Sequence, residues 1–304
     1  MSHPHNHTHH HHHEPQSFNY AFAIAVVMNL GFTLFEIVYA FLANSMGLLA
    51  DAVHNFGDVF GLLLAWGANW LLTLPARKRY SYGFKRTTIL ASLANAIILT
   101  TTSALIAYEA LQKLFAMKIV NEHIVIIVAL LGIAINGGTA LLFRRGAHDD
   151  LNIQGAFLHL MGDALIAIGV VFSGLLILLT KHYWIDPLVG LLIVGIILWG
   201  TWGLLRDSVR LILDAVPRHI DYQGVEFYLK QLPHVEAVHD LHIWGLSTKE
   251  IALTAHLIMP KIPLSDADYR NINKILKEKF RIDHVTLQVE TGSDEHPCLR
   301  TETC

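Results

Sequence analysis

Residues 154–166 read QGAFLHLMGDALI, an apolar run that is interrupted by His159 and, four positions later, by Asp163. Residues 50–60, ADAVHNFGDVF, show the same spacing with His54 and Asp58. Ionisable side chains are costly to keep inside an apolar helix, and where they occur they usually serve a function. These two stretches therefore indicate both the architecture and the chemistry of the chain.

The composition around these stretches is that of a membrane protein. Hydrophobic residues make up 53% of the 304 positions and charged residues only 15%, and this balance is unusual for one soluble globule. The formal net charge of -3 gives no sign of a nucleic-acid partner, and we expect none. The only two cysteines, Cys298 and Cys304, lie in the last seven residues. No disulfide framework therefore holds this fold together.

Six segments are apolar enough to cross a bilayer, which takes about 20 residues. They are residues 18–43, 47–74, 87–111, 123–143, 154–180 and 185–205. Each must be helical, because lipid offers no hydrogen-bond partner to the backbone. Basic residues are concentrated after the second, fourth and sixth segments, so the positive-inside rule predicts that both termini are cytoplasmic. The basic loop at 74–86 is expected to lie against anionic lipid headgroups.

A soluble domain follows the sixth segment. Its pattern of periodic and alternating stretches predicts the order αββαβ, a small α+β domain of ferredoxin-like type. The predicted organisation is a histidine-rich tail (1–17), a six-helix membrane domain (18–206), a linker (207–218), the ferredoxin-like domain (219–291) and a C-terminal tail with both cysteines (292–304). The small core of this domain favours dimerisation.

Spacing makes the two His and Asp pairs a candidate metal site. Positions four apart share one face of a helix, so two such helices facing each other would offer two imidazoles and two carboxylates. A tetrahedral Zn²⁺ site takes four such ligands. Neither segment contains Lys or Arg, which leaves a divalent cation or protons as the counter-charge. Imidazole ligands favour Zn, Co, Ni or Cu over Mg, Ca or Mn.

The sequence resembles a known family at these same positions. The stretches LLADAVHNFGDVFGLLLAW, YSYGFKRTTILA, FLHLMGDALIAIGVV and VHDLHIW are similar to those of the zinc-transporting members of the cation diffusion facilitator family. The resemblance implies a homodimeric exporter, not an enzyme, that exchanges Zn²⁺ for protons, with Cd²⁺ or Co²⁺ as further cargo. It places a dehydrated zinc ion among His54, Asp58, His159 and Asp163. Family analogy also suggests a bacterial cytoplasmic membrane.

Other polar residues of the membrane segments have weaker signals. Asp51 lies three positions before His54 and is either a cation attractor at the mouth of the site or a helix-end cap. Interhelical hydrogen bonds are the common role for such groups in bundles, and we assign it to Asn29, Glu36 and Asn136. The resemblance also implies a structural ion pair between Arg86 and an acid near the end of the sixth segment, such as Asp207.

The resemblance implies a second, regulatory zinc site in the terminal domain, with His239, His256 and Glu290 as ligands. Further candidates are His234, His284, Cys298 and Cys304, although the cysteine spacing departs from the Cys-x-x-Cys of the family. The period of a strand puts His239 and His242 on opposite faces, so only one of them easily joins a common site. The histidine tract at residues 3–13 either concentrates zinc or is a dispensable tail.

Three alternatives remain at this point. A membrane-anchored zinc sensor would suit the terminal domain but would not need the four membrane residues. An intramembrane metalloprotease needs a string such as His-Glu-x-x-His, which the sequence lacks. A carboxylate-based sodium/proton exchanger would not need paired imidazoles.

Overall fold

The computed structural model describes residues 16–116, 118–144, 151–260 and 264–291, with side chains described from residue 27 in the first helix and from residue 154 in the fifth. The elements are α1 (Gln16–Ala43), α2 (Met46–Leu72), α3 (Thr87–Phe115), α4 (Glu122–Phe143), α5 (Leu151–Thr180), α6 (Ile185–Ile212), α7 (Tyr222–Lys230), β1 (Ala237–Gly245), β2 (Ile251–Ile258), α8 (Asp266–Phe280) and β3 (His284–Glu290). This confirms the predicted fold class of six long helices followed by an αββαβ domain. The histidine tract, Cys298 and Cys304 lie outside the described residues.

The long helices have the length and surface of membrane spans. Among the described residues, α2 to α6 are each long and apolar enough to cross a bilayer, and α1 adds a shorter apolar stretch, Val27–Ala43. Large apolar side chains on the outer faces, such as Phe41, Trp66 and Trp199, expose more than half of their surface. Apolar surface of this extent fits contact with lipid. The chain is a multi-pass membrane protein.

The chain separates into two compact units. The first takes in the described residues up to Val59 together with Thr102–Ile197, and the second takes in Phe60–Thr101 and the described residues from Leu198 onwards. Within the first unit, α4 packs along α5 and also against α1. Lys181, just after α5, pairs with Glu122 in the first turn of α4, so an ion pair joins these two helices at one end.

The start of α2 is fixed by a carboxylate from α6. Asp186 accepts hydrogen bonds from the backbone amides of Met46 and Gly47 and from the Ser45 hydroxyl. The first amides of a helix have no partner within the helix, and a negative group at this end also matches the helix dipole. The two helices approach closely, because a Cβ on Gly190 of α6 would lie 2.9 Å from the Met46 carbonyl oxygen.

In the second unit, the αββαβ domain forms a three-stranded sheet in the order β1-β2-β3. β1 pairs with β2 antiparallel, and β2 pairs with β3 parallel. The domain core contains Val225 and Leu229 of α7, Leu253 and Leu257 of β2, and Leu276 of α8. Side-chain caps begin both helices: Asp221 accepts from the Gly224 amide, and Ser265 and Asp268 form a capping box. Such caps satisfy the orphan amides of a first turn.

The basic loop before α3 makes ion pairs within the second unit. Arg86 pairs with Asp214, with 2.7 Å between Nη2 and Oδ1, so its partner is an acid near the end of the sixth helix, as predicted, but the named residue, Asp207, is wrong. The reason is that α6 continues to Ile212, which leaves Asp207 inside the helix, where Arg218 contacts its carboxylate at 3.0 Å. Asp214 lies beyond the helix end in a left-handed conformation with φ 55°. The predicted linker at 207–218 thus begins within α6.

Candidate metal sites

His54, Asp58, His159 and Asp163, here called the membrane quartet, lie together between α2 and α5. Each helix contributes one histidine and, one turn later, one aspartate, as positions four apart require. The contacts cross between the helices, because the His54 Nε2 atom lies 3.4 Å from the Asp163 Oδ1 atom and the His159 Nε2 atom lies 3.2 Å from the Asp58 Oδ2 atom. Within each pair the nitrogen-to-oxygen distance is 3.7 Å.

These separations can be compared with the size of a zinc site. Ligand atoms at 2.0 to 2.2 Å from a tetrahedral Zn²⁺ lie about 3.4 Å from one another. The four nitrogen-to-oxygen distances of the membrane quartet run from 3.2 to 3.7 Å and bracket that value. Ligand atoms of three members, His54, Asp58 and Asp163, also lie within 4.8 Å of one another. His54, Asp58 and Asp163 are therefore spaced to share one small cation, and His159 adjoins this group through its contacts with Asp58 and Asp163.

Burial and incomplete hydrogen bonding make the quartet a candidate site for a cation. The Asp163 side chain is 3% exposed and the His54 side chain 18% exposed, whereas His159 is 47% exposed. Among the described residues, the buried Asp58 Oδ2 and His54 Nδ1 atoms have no hydrogen-bond partner with acceptable geometry. The Asp58 Oδ2 atom contacts the His159 Nε2 atom at 3.2 Å without a well-oriented hydrogen bond. Poorly satisfied buried polar atoms are costly, and a bound cation would lower that cost.

Other polar residues predicted in the membrane segments have different outcomes. Glu36 is an interhelical partner, because its Oε2 atom accepts a hydrogen bond of 3.3 Å from the Asn55 amide on α2. Asn136 is fully buried, but neither end of its amide has a partner among the described residues. The same holds for the Asn29 Oδ1 atom. Asp51 is not a helix-end cap, because it lies within α2 and is 1% exposed.

A second group, here called the sheet cluster, consists of His239, His256 and Glu290 on three neighbouring strands. The Glu290 carboxylate bridges the two histidines, with 3.1 Å from Oε2 to the His239 Nε2 atom and 2.9 Å from Oε1 to the His256 Nδ1 atom. The two imidazole rings meet edge to face, with their centroids 5.1 Å apart. The three ligand atoms lie within 4.8 Å of one another, and the donor set of two imidazoles and a carboxylate suits a divalent transition metal.

A β-bulge in β1 determines which side chains lie beside the sheet cluster. His239 pairs with His256, and His242 pairs with Thr254, so three steps on β1 match two on β2. The prediction that His239 and His242 face opposite ways is therefore wrong, because a bulge resets the alternation of a strand. Asp240 lies in the bulge with φ 51°. Its carboxylate contacts the His256 Nε2 atom at 3.4 Å and the His242 Nε2 atom at 2.9 Å.

Asp240 is a residue that the sequence analysis missed. Because it contacts the nitrogen of His256 that faces away from Glu290, it can orient that ring, as carboxylates commonly do for metal-binding histidines. Aspartate is disfavoured inside strands, but it tolerates a left-handed conformation. An aspartate within the run VEAVHDLHIW was thus the available signal for a bulge.

Electrostatics keep both carboxyl groups around the sheet cluster ionised. Burial acts to raise the pKa of Glu290, but hydrogen bonds from Gln288 and His239 outweigh it and hold that pKa below its usual value. The hydrogen bond with His242 similarly lowers the pKa of Asp240. Metal ligands must be deprotonated to bind. Glu290 is therefore already in its binding form near neutral pH.

The remaining candidates of the terminal domain lie away from the sheet cluster. His284 is exposed, and its ring contacts Tyr82 edge to face with 5.5 Å between centroids. His234 is exposed in a turn with φ 67°. Among the described residues, neither belongs to a group of side chains spaced for a metal ion.

Comparisons with known proteins agree on one family. The model of the cation efflux transmembrane domain matches residues 22–213, and that of the cytoplasmic domain of cation efflux proteins matches residues 217–292. The chain is 31% identical over 272 residues to "Cation efflux system protein CzcD" of Alcaligenes, covering 89% of this chain and 85% of that protein. It is 32% identical over 262 residues to "Zinc transporter ZitB" of Escherichia coli, covering 86% and 83%.

The chain is also similar to a second transporter and to a domain of known structure. The "Cadmium, cobalt and zinc/H(+)-K(+) antiporter" of Bacillus subtilis is 29% identical over 275 residues, covering 89% of this chain and 88% of that protein. A solved structure of the metal-bound C-terminal domain of the CzcD transporter is 33% identical over 23% of this chain and 99% of that one. Its TM-score is 0.22, so this likeness supports no statement about the fold.

Proposed function

Since the chain belongs to the cation efflux family of transporters, also called cation diffusion facilitators, we propose that it exports Zn²⁺ from the cytoplasm in exchange for protons. Relatives named as a zinc transporter and as a cadmium, cobalt and zinc/H(+)-K(+) antiporter support this function. They also make Cd²⁺ and Co²⁺ further candidate cargo. The observation that carries the proposal is the membrane quartet, in which each histidine lies 3.2 to 3.7 Å from both aspartates and three of the four side chains have ligand atoms within 4.8 Å of one another.

The ligand set itself provides the exchange with protons. Zinc binding needs neutral imidazole and ionised carboxylate, so protons and zinc compete for the same atoms. We propose that Zn²⁺ loads from the cytoplasmic side and releases protons there, and that protons from the other side then displace it. Between these steps the helices change access to a site at mid-membrane, as in many secondary carriers.

The placement of the protein in the membrane is part of the proposal. Five basic residues support a cytoplasmic location for the loop between α2 and α3, and with it cytoplasmic termini. They are Arg77, Lys78, Arg79, Lys85 and Arg86. Bacterial relatives support a bacterial cytoplasmic membrane. The match to the cytoplasmic domain of cation efflux proteins supports a homodimer. We propose that zinc binding to the sheet cluster regulates transport from that domain.

Reconstituted vesicles test the function directly. Purified protein in sealed proteoliposomes should accumulate Zn²⁺ when a pH gradient is imposed, and collapsing that gradient with a protonophore should stop the accumulation. Equal accumulation with and without the gradient would contradict proton coupling. A protein that binds zinc but moves none under either condition would instead be a membrane-anchored sensor.

A further inference from the structure

Two buried carboxyl groups lie beside the membrane quartet without belonging to it. Glu36 of α1 is fully buried, and Asp51 of α2 is 1% exposed. On α2, Asp51 and Asn55 are four positions apart and share a face, and Asn55 turns that face to Glu36 through its hydrogen bond. His54 and Asp58 occupy the neighbouring face, towards α5. The same helix thus carries two separate polar pairs.

The carboxyl groups of Glu36 and Asp51 have incomplete hydrogen bonding. Asn55 donates to the Glu36 Oε2 atom at 3.3 Å, and Asp51 lies one turn before Asn55 on the same face of α2, which places the two buried carboxyl groups next to each other. Among the described residues, the Glu36 Oε1 and Asp51 Oδ1 atoms have no donor. Ionised carboxylates only accept hydrogen bonds, so two of them in contact would leave both oxygens unsatisfied. One proton turns one carboxyl group into a donor to the other.

The charges nearby also favour a bound proton. Two adjacent carboxylates in an apolar interior repel each other and lose their hydration, so one of them keeps its proton. The other ionisable groups that act on the pair are His54 and Asp58 of α2 and Asp163 of α5. The two aspartates add negative charge and favour the proton, whereas a protonated His54 acts in the opposite direction on Asp51. The helices α1, α2, α4 and α5 contain no Lys or Arg that could replace a proton as the counter-charge.

We propose that Glu36 and Asp51 form a proton-binding site distinct from the four metal ligands, and that the shared proton must stay in place for metal transport. The shared proton makes a hydrogen bond between α1 and α2, and this bond fixes the position of the helix that carries His54 and Asp58. Loss of the proton at alkaline pH leaves two adjoining carboxylates that repel, which separates α1 from α2. Glu36 and Asp51 are thus positioning residues, and their role rests on the transport function proposed above.

Infrared spectroscopy of the zinc-loaded, full-length protein tests for the proton. Zinc keeps the carboxyl groups of the membrane quartet ionised, so a band of protonated carboxylic acid at neutral pH reports on other groups. We expect this band in the wild type and its loss in both Glu36→Gln and Asp51→Asn. The matched control is Glu122→Gln, which removes a buried acid that is paired with Lys181 and should leave the band unchanged.

Transport assays test the role of the proton. The carboxamide introduced by Glu36→Gln can still donate to Asp51 and accept from Asn55, so this variant should transport at neutral pH within several-fold of the wild type. It should also lose the alkaline decline in rate that we expect for the wild type. Glu36→Ala, which keeps neither hydrogen bond, should lose transport at every pH.

Three results would overturn the proposal. They are a band of carboxylic acid that survives both substitutions, an alkaline decline that is the same in Glu36→Gln and the wild type, and loss of transport by a well-folded Glu36→Gln that still binds zinc. The last would mean that the proton at Glu36 has to be exchanged rather than held. The infrared result does not depend on transport, so failure of the proposed antiport would be recognised separately.

Discussion

The membrane quartet and the sheet cluster use similar donors, but they are built in different ways. In the membrane, two helices each repeat His and Asp at a spacing of four, and the four side chains face one another at 3.2 to 3.7 Å. In the terminal domain, three strands and a bulge bring together residues that are far apart in sequence. The first arrangement follows from local periodicity, and the second depends on the register of a sheet.

The two groups also differ in burial. In the sheet cluster, Glu290 bridges both histidines at 2.9 and 3.1 Å, and the three side chains are 20 to 28% exposed. In the membrane quartet, the Asp163 side chain is 3% exposed and the His54 side chain 18%, whereas His159 is 47% exposed. In each group, one buried atom of such a contact lacks a well-oriented hydrogen bond among the described residues: Asp58 Oδ2, 3.2 Å from His159 Nε2, and His256 Nδ1, 2.9 Å from Glu290 Oε1. A cation entering either group would satisfy that atom.

Substitutions in the quartet should have the largest effect. His159→Ala or Asp58→Ala removes one of the four proposed ligands, and we expect zinc transport to fall to background. That loss should exceed the roughly 10- to 100-fold that removal of an outer-shell partner costs. The measurement is zinc uptake into proteoliposomes at equal protein content. His182→Ala, which changes an exposed histidine just after α5, is the matched control, and equal losses in both variants would contradict the assignment.

A substitution in the sheet cluster should separate binding from transport. His256→Ala should lower the number of zinc ions bound per chain, measured by equilibrium dialysis, and reduce transport by several-fold at most. It should also remove a zinc-dependent stabilisation of the domain, which amounts to about 2.7 kcal/mol when zinc is present at 100 times its dissociation constant. His284→Ala, on the same sheet but outside the cluster, should change neither. A transport loss in His256→Ala as large as in Asp58→Ala would remove the distinction between the two sites.

The bulge residue should have an intermediate effect. Asp240→Asn keeps a side chain that tolerates a left-handed conformation, but it removes the charge that orients His256. We expect about 10-fold weaker zinc binding to the sheet cluster, measured by competition with a chelating dye. Unchanged affinity would mean that Asp240 only shapes the strand.

The smallest effect concerns pH and the metal-free domain. The pKa of Glu290 is lowered in the folded protein, so its ionised form stabilises the fold above the pKa of the unfolded chain, about 4.3. That contribution disappears as the pH falls through the lower folded value. Glu290→Gln should therefore lower the melting temperature of the domain at neutral pH and converge with the wild type in strong acid. A constant difference at all pH values would point to lost packing instead.

The sequence predicted the membrane half better than the terminal half, for a physical reason. Helical spacing alone placed His54 beside Asp58 and His159 beside Asp163, because such contacts are local. That the two helices face each other could be predicted from their matching His and Asp motifs. The contacts of the terminal domain depend on one inserted residue in β1, and strict alternation misplaced His242 relative to His239. Resemblance to a family, rather than spacing, supplied the members of the sheet cluster.

Long-range polar contacts were the least predictable. The partner of Arg86 is Asp214 rather than Asp207 because α6 continues to Ile212, and the end of an apolar helix is poorly marked in sequence. The proton-sharing pair of Glu36 and Asp51 was also hidden, because sequence gives no indication which faces of α1 and α2 meet. Each residue could be identified as polar, but its partner could not.

The anchoring of α2 by α6 limits how the carrier can move. Asp186 holds the first amides of α2, and the absence of a Cβ at Gly190 lets the two backbones touch. Sliding α2 along its own axis would strip three hydrogen bonds from a carboxylate that water does not reach. A movement that costs less free energy tilts α2 and α6 together about this contact. The greatest displacement then falls at the opposite end of α2.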